Sequence, residues 1–173
     1  FVISPEMNYI YRDSGLQGDE ICRKIVREIP RFLKEGGFCQ ILCNWAEKTG
    51  ETWQTHLQSW FEGTGCDVWV MRSESRNTST YAYSWIRHTE QHEPENISDR
   101  FEEWLNYYER LGIESVSAGL ITLRRRSGVS NWRCSSGVRS GGRTTVSARL
   151  RLACATVALS VPGCLQPHRG DPL

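Results

Sequence analysis

What the chain lacks narrows it first. No stretch approaches the roughly 18 uninterrupted apolar residues of a membrane-spanning helix, and the run Leu152–Val161 is too short and too rich in small residues. The chain begins Phe1-Val2-Ile3-Ser4-Pro5, with neither a basic nor an apolar leader, so no secretory signal is expected. None of the seven cysteines forms a C-x-x-C pair. Cys39 and Cys43 stand at i, i+4 on a strand-like run, about 13 Å apart at ~3.3 Å per residue, too far to share a metal. They read as small buried hydrophobes of a reducing cytosol, and the expectation is a cytoplasmic protein without membrane contact or metal. His88 and His92 offer a second i, i+4 pair, but no Glu follows the first His and Pro94 interrupts the frame.

Aromatic residues are missing from the last forty positions: all seven Trp, six Tyr and five Phe lie within 1–132. Charge divides at the same place, with 16 basic and 19 acidic residues in 1–133 against five and one in 134–173. The near-neutral total thus joins two unlike segments. The reading is 1–132 as the folded part and 133–173 as a basic tail, disordered or translated in another frame, because it has no periodicity on which to build an element.

Within 1–132 the periodicity is informative. Asp19 is placed to cap a helix whose apolar positions Ile21, Cys22, Ile25, Val26, Ile29, Phe32 and Leu33 share a face, with Pro30 expected to tighten or kink its last turn. Phe38–Trp45 reads as a strand buried on both faces. A second helix carries Trp53, Leu57, Trp60 and Phe61, a second strand runs Cys66–Met71, and residues 72–97 leave room for a short helix. Ser98 is placed to cap a helix bearing Phe101, Trp104, Leu105, Tyr108 and Leu111, and Val116–Leu123 predicts a last strand at or near an edge. Helix and strand alternating in units of about 30 residues predict an α/β fold with right-handed crossovers and a parallel sheet.

The order of loop, helix, Gly-Gly turn, strand, helix, strand, insertion and strand resembles the C-terminal half of a class I S-adenosylmethionine-dependent methyltransferase. Phe1-Val2-Ile3-Ser4-Pro5 is similar to the stretch just after Asn-Pro-Pro in the Asn-Pro-Pro-Phe/Tyr motif of amino-group N-methyltransferases, and Leu33-Lys34-Glu35-Gly36-Gly37-Phe38 to the turn before the fifth strand. Tyr11–Leu16, Cys43-Asn44-Trp45 and Thr64–Val70 resemble a subgroup related to the HemK-type glutamine methyltransferases and the small-domain rRNA guanine methyltransferases.

The resemblance implies the C-terminal half of a Rossmann-like sheet and N-methylation of a protein glutamine or of an rRNA or DNA amino group, with S-adenosyl-L-methionine as donor in the intact parent. Such a transfer is an in-line displacement, so the site chiefly has to orient a nitrogen lone pair. Phe1 would be the catalytic-site aromatic that stacks on the target plane. Tyr11, Arg12 and Asp13, in a loop over the substrate, and Asn44 and Trp45, at a strand end, would contact it.

No cofactor-binding residue is expected in this chain: no Gly-x-Gly-x-Gly occurs, and Gly15, Gly18, Gly36, Gly37, Gly63 and Gly65 read as turn and helix-stop glycines. The chain alone is expected to be inactive, and marginal or aggregation-prone through exposed sheet edge. The alternative is a noncatalytic nucleic-acid- or protein-binding module that uses Arg124-Arg125-Arg126 and the aromatics of 78–108.

Overall fold

In a computed structural model of the chain, residues 1–89 and 97–127 and the strand 132–136 are described. The chain divides into two units, Phe1–Gly142 and Arg143–Leu173, and every described residue belongs to the first. The tail beyond Ser136, and His92 with Pro94, lie outside the described residues.

A loop over residues 1–19 leads into α1 (Glu20–Glu28), which tightens into a 3₁₀ turn, Ile29–Phe32, where Pro30 removes a donor. The apolar stripe fails with it: Cys22 and Val26 are buried, whereas Phe32 is 82% exposed. Asp19 precedes α1 but makes no capping hydrogen bond. Its carboxylate is instead spent on a tertiary contact with the Ala46 N–H of the first strand, which local spacing cannot signal.

β1 spans Phe38–Lys48. Thr52 then caps α2 (Trp53–Phe61), its hydroxyl accepting from the Thr55 N–H at 3.2 Å. Nine residues are too few to hold a helix in water unaided. Trp53, Leu57, Trp60 and Phe61 are all buried, at roughly 1.5–3 kcal/mol for each such side chain, so packing holds α2. β2 (Cys66–Asn77) runs directly into α3 (Thr78–Thr89), with the Asn77 side chain accepting from the Thr80 N–H. α4 (Ile97–Arg110) buries Trp104, Tyr107 and Tyr108, and its start at Ile97 puts Ser98 inside the helix rather than at its cap. β3 (Ile113–Arg125) comes immediately after, and β4 (Trp132–Ser136) is the last described element.

The sheet has the order β1-β3-β2-β4. β3 pairs antiparallel with both β1 and β2, and β4 pairs parallel with β2. The molecule is a mixed α/β structure whose three long strands are joined antiparallel, not the parallel sheet expected. β1 and β2 do run the same way, but β3 occupies the place between them. Among the described residues β3 lies one strand in from the edge, near it as expected, and β1 is the edge strand and not a strand buried on both faces: Leu42 is 80% exposed. Apolar runs set strand character and the intervening helix sets direction; neither says whether two parallel strands touch.

Two apolar clusters cover opposite faces. α1 and α2 pack on the odd-numbered β1 residues Cys43 and Trp45 together with Val68, Val70, Ile121 and Leu123. α3, α4 and the N-terminal Val2 and Ile3 pack around Ala46, Ile113 and Val116 on the other face, nearer the carboxyl end of β1. Gly119 makes the first packing possible. A Cβ there would meet Met71 O at 2.4 Å and the Trp45 ring at 2.7 Å.

Candidate functional site

The N-terminal segment is held at both faces of its backbone. The Val2 N–H donates to Arg12 O at 3.0 Å, the Ile3 N–H donates to Tyr81 Oη at 3.3 Å, and Tyr108 Oη donates to Ile3 O at 2.8 Å. Burial pushes both phenols well above the usual tyrosine range, so each stays neutral and serves as a hydrogen-bonding group. Asn44 completes the anchor, with Nδ2 donating to Phe1 O at 2.9 Å and to Tyr81 Oη at 3.2 Å. Phe1 itself is 46% exposed beside the Asn44 amide.

The next loop closes around one carboxylate. Asp13 accepts Arg12 Nε at 2.6 Å and Nη2 at 2.9 Å, Ser4 Oγ at 2.8 Å, and the N–H groups of Asn8 and Tyr9 at 3.1 and 3.0 Å. Burial raises its carboxyl, but the bonds from Arg12, Ser4 and Tyr9 outweigh that and hold it below the usual carboxylate range. Arg12 also donates to Thr89 Oγ1 at 2.8 Å and lies over the Tyr9 ring at 4.6 Å and the Trp104 ring at 5.6 Å. Both members of the pair are buried. They order residues 4–13 from within, and Tyr11, by contrast, is 77% exposed.

The expected site residues therefore separate. Phe1 and Asn44 meet, Arg12 and Asp13 support the loop that carries Phe1, and Tyr11 stands outward. Trp45 is fully buried among α2 residues on the sheet face opposite Asn44, its ring 5.9 Å from that of Trp53. Beside Asn44 opens a cavity of about 310 Å³ lined by Tyr81, Trp85, His88, Val116 and Ala118, with Glu74 and Arg76 at its polar side. It is large enough for one planar ring system, with the Asn44 side chain at its wall.

Two polar clusters are not signalled as such by the sequence, which offers Asp19 only as a helix cap. Asp19 Oδ2 accepts the Ala46 N–H at 2.8 Å and lies 2.8 Å from His56 Nε2, while His56 Nδ1 is 3.5 Å from Glu51 Oε2. Burial alone would pull the imidazole down, but bonding to Asp19 and the charges of Asp19 and Glu51 raise it above the usual histidine value. A cavity of about 460 Å³ adjoins it, lined also by Arg23, Lys48 and Trp60. In the second cluster, Glu47 Oε1 accepts from Arg72 Nη1 at 2.8 Å and from Ser117 Oγ, and Oε2 accepts from Ser115 at 3.3 Å. Arg72 lies 5.1 Å from the Trp53 ring centroid. Neither cluster has a spacing signal, because each joins elements tens of residues apart.

The three arginines at the end of β3 are not one patch. Arg125 donates to the carbonyl oxygens of Pro30 and Leu33, tying the 3₁₀ turn to the sheet, and Arg126 pairs with Asp67 at 2.9 Å. Among the described residues no group of three or more His, Cys, Asp or Glu side chains is placed to hold a metal, and no helix is long and apolar enough to cross a membrane. His88 is engaged with Ser84 O through Nδ1. No family model matches the chain, and no curated protein matches it.

Proposed function

We propose that residues 1–132 are the acceptor-binding portion of an S-adenosylmethionine-dependent N-methyltransferase whose target is a protein glutamine or an rRNA or DNA amino group. The observation that carries this reading is the fixing of Phe1 by Asn44. An exposed aromatic residue is held by its own carbonyl, through an Asn44 side chain that also grips Tyr81 and lines a cavity of about 310 Å³. A planar amide or aryl amine has to be held with its nitrogen aimed in one direction, and a rigid aromatic wall restricts it to one plane. The Arg12–Asp13 pair supports the same reading at one remove, since it fixes the loop whose Arg12 carbonyl receives the Val2 N–H.

The described residues do not fit the cofactor. β1 reaches α2 through Thr49–Thr52 with a single glycine, and β2 enters α3 with no loop at all, so neither strand end offers a run of backbone N–H groups around a ligand. The Gly18 N–H is already given to Tyr107 Oη at 2.8 Å. The chain's own contribution is therefore confined to binding and orienting the acceptor. The test is a protein extended by the codons that precede Phe1 in its gene, incubated with methyl-labelled S-adenosylmethionine and either RNA or a glutamine-containing peptide. Label in one acceptor, lost in Phe1→Ala, is the expected result. An upstream frame with no glycine-rich loop and no Asn-Pro-Pro would refute the proposal.

The noncatalytic binding reading retains less surface than the sequence offers, although Arg124 is exposed. Arg125 and Arg126 are committed to Pro30, Leu33 and Asp67, and of the aromatics in 78–108 only Tyr83 is largely exposed.

A further inference from the structure

A cleft of about 530 Å³ lies among the last turn of α1 with its 3₁₀ extension, the loop from α2 to β2, and the end of β3. Its walls carry four arginines, Arg27, Arg31, Arg125 and Arg126, against two carboxylates, Glu28 and Glu62. None of these residues belongs to the N-terminal segment, to the open edge of β1 or to the cavity beside Asn44. At Gly63 and Gly65 a Cβ would meet nothing within 4 Å, so a ligand has room to approach the main chain between α2 and β2.

Each guanidinium is fixed through a single terminal nitrogen. Arg27 Nη1 donates to Ser59 O at 3.1 Å, Arg125 Nη1 to the carbonyl oxygens of Pro30 and Leu33, Arg31 Nη1 to Glu28 at 2.9 Å and Arg126 Nη1 to Asp67 at 2.9 Å. A guanidinium has five N–H donors, and among the described residues Nε and Nη2 of all four reach no acceptor. Charge separates the four into two pairs. Arg31 and Arg126 are offset by carboxylates, whereas Arg27 and Arg125 are held by carbonyl oxygens, which orient a cation without neutralising it. Glu62 forms no ion pair among the described residues and is the one wall carboxylate left to offset them. Glu35, outside the walls, is exposed to solvent that screens it and accepts the Ser127 N–H at 2.7 Å. The remaining sequence adds little counter-charge, since after Glu114 its only acidic residue is Asp171.

We infer that this cleft is a phosphate-binding site, which takes a phosphate group between Arg27 and Arg31 on the helix side and Arg125 and Arg126 on the sheet side. Guanidinium forks match phosphate oxygens bidentately, and forks already held in place lose little freedom on binding. Several forks around one cleft suit a tetrahedral group that offers oxygens in more than one direction. A carboxylate, with two coplanar oxygens, is satisfied by one fork. The group is either free phosphate or part of a nucleic-acid backbone, since both present the same oxygens. The inference is independent of the methyl-transfer reading.

Two titrations of the full chain test it: inorganic phosphate followed by calorimetry, and a labelled single-stranded oligonucleotide followed by fluorescence anisotropy at about 50 and about 200 mM salt. A free source gives binding of inorganic phosphate. A polymeric source gives oligonucleotide binding that weakens with salt and is displaced by phosphate. In whichever arm binds, Arg27→Gln and Arg31→Gln are each expected to weaken it about threefold or more, and with the oligonucleotide each lowers the salt slope by about one. Glu62→Gln removes a repelling charge and is expected to tighten binding about twofold. Arg110→Gln, beyond the opposite end of β3, is expected to leave it unchanged. Arg27, Arg31, Glu62 and Arg110 are all exposed, so the circular dichroism of the four variants should match the wild type. A chain that binds neither probe, binding that survives both Arg27→Gln and Arg31→Gln, weaker binding in Glu62→Gln, or an equal loss in Arg110→Gln would each overturn the inference.

Discussion

At Gly119 the sheet has no room for a methyl group, because Met71 O and the Trp45 ring already occupy the space a Cβ would take. The obstacle is partly backbone, so Gly119→Ala has to push β2 or Trp45 aside. The expected loss is about 1–3 kcal/mol, read as a lower urea midpoint at constant slope. Arg12 and Asp13 set a similar constraint by charge. Asp13→Asn leaves a buried guanidinium without its counter-charge, at about 3–5 kcal/mol in the same assay. His56 adds a pH dependence whose sign comes from its raised folded value. Its contribution is complete below the unfolded histidine value of about 6.5 and is lost as pH rises through the folded value. The urea midpoint should therefore fall as pH rises from the unfolded histidine value of about 6.5 through the raised folded one, and His56→Gln should flatten that slope. A wild-type profile already flat across this window would show that His56 adds nothing to stability. Little of this is legible in the sequence: Asp19 looks like a helix cap, His56 like a surface residue of α2, and Gly119 like one more small residue in a strand.

Elements are easier to read than their arrangement. The stripe of α2 and the stop at Gly63 come from spacing alone, and the tightened turn at Pro30 comes from its missing N–H. The pairing of β3 between β1 and β2 does not, since it depends on which strand enters a gap that local sequence cannot describe. The ends of β1 and β2 are equally hidden. Ala46–Lys48 and Arg72–Asn77 are polar or mixed, and they continue as strand because β3 is long enough to pair with both. Of the site, the resemblance supplies Phe1 and Asn44, and the structure joins them through a carbonyl–amide bond. It does not supply Tyr81, which lies in the segment of least regular pattern and accepts from both Ile3 N–H and Asn44. Tyr81→Phe removes that shared acceptor. Hydrogen exchange should then show the Ile3 amide opening faster while Val70 and Ile121, in the other cluster, keep their protection. Equal acceleration at all three would mean that Tyr81 supports the whole fold rather than the N-terminal segment.

For the molecule as a whole, the two sides of the sheet are unequally covered. α1 and α2 close one face, but α3 and α4 reach only the carboxyl end of β1 on the other. What they leave is an apolar row across three strands, with Leu42 opposite Leu120 and Leu120 opposite Met71, and Trp69 in the next row. Leu42 is 80% and Met71 39% exposed. A hydrophobic dye should accordingly bind the native protein while the circular dichroism melt stays cooperative. Met71→Lys should lower the dye signal several-fold without lowering the melting temperature, because its side chain lies outside both core clusters. Dye binding that appears only as the melt begins would show this face to be covered in the folded chain.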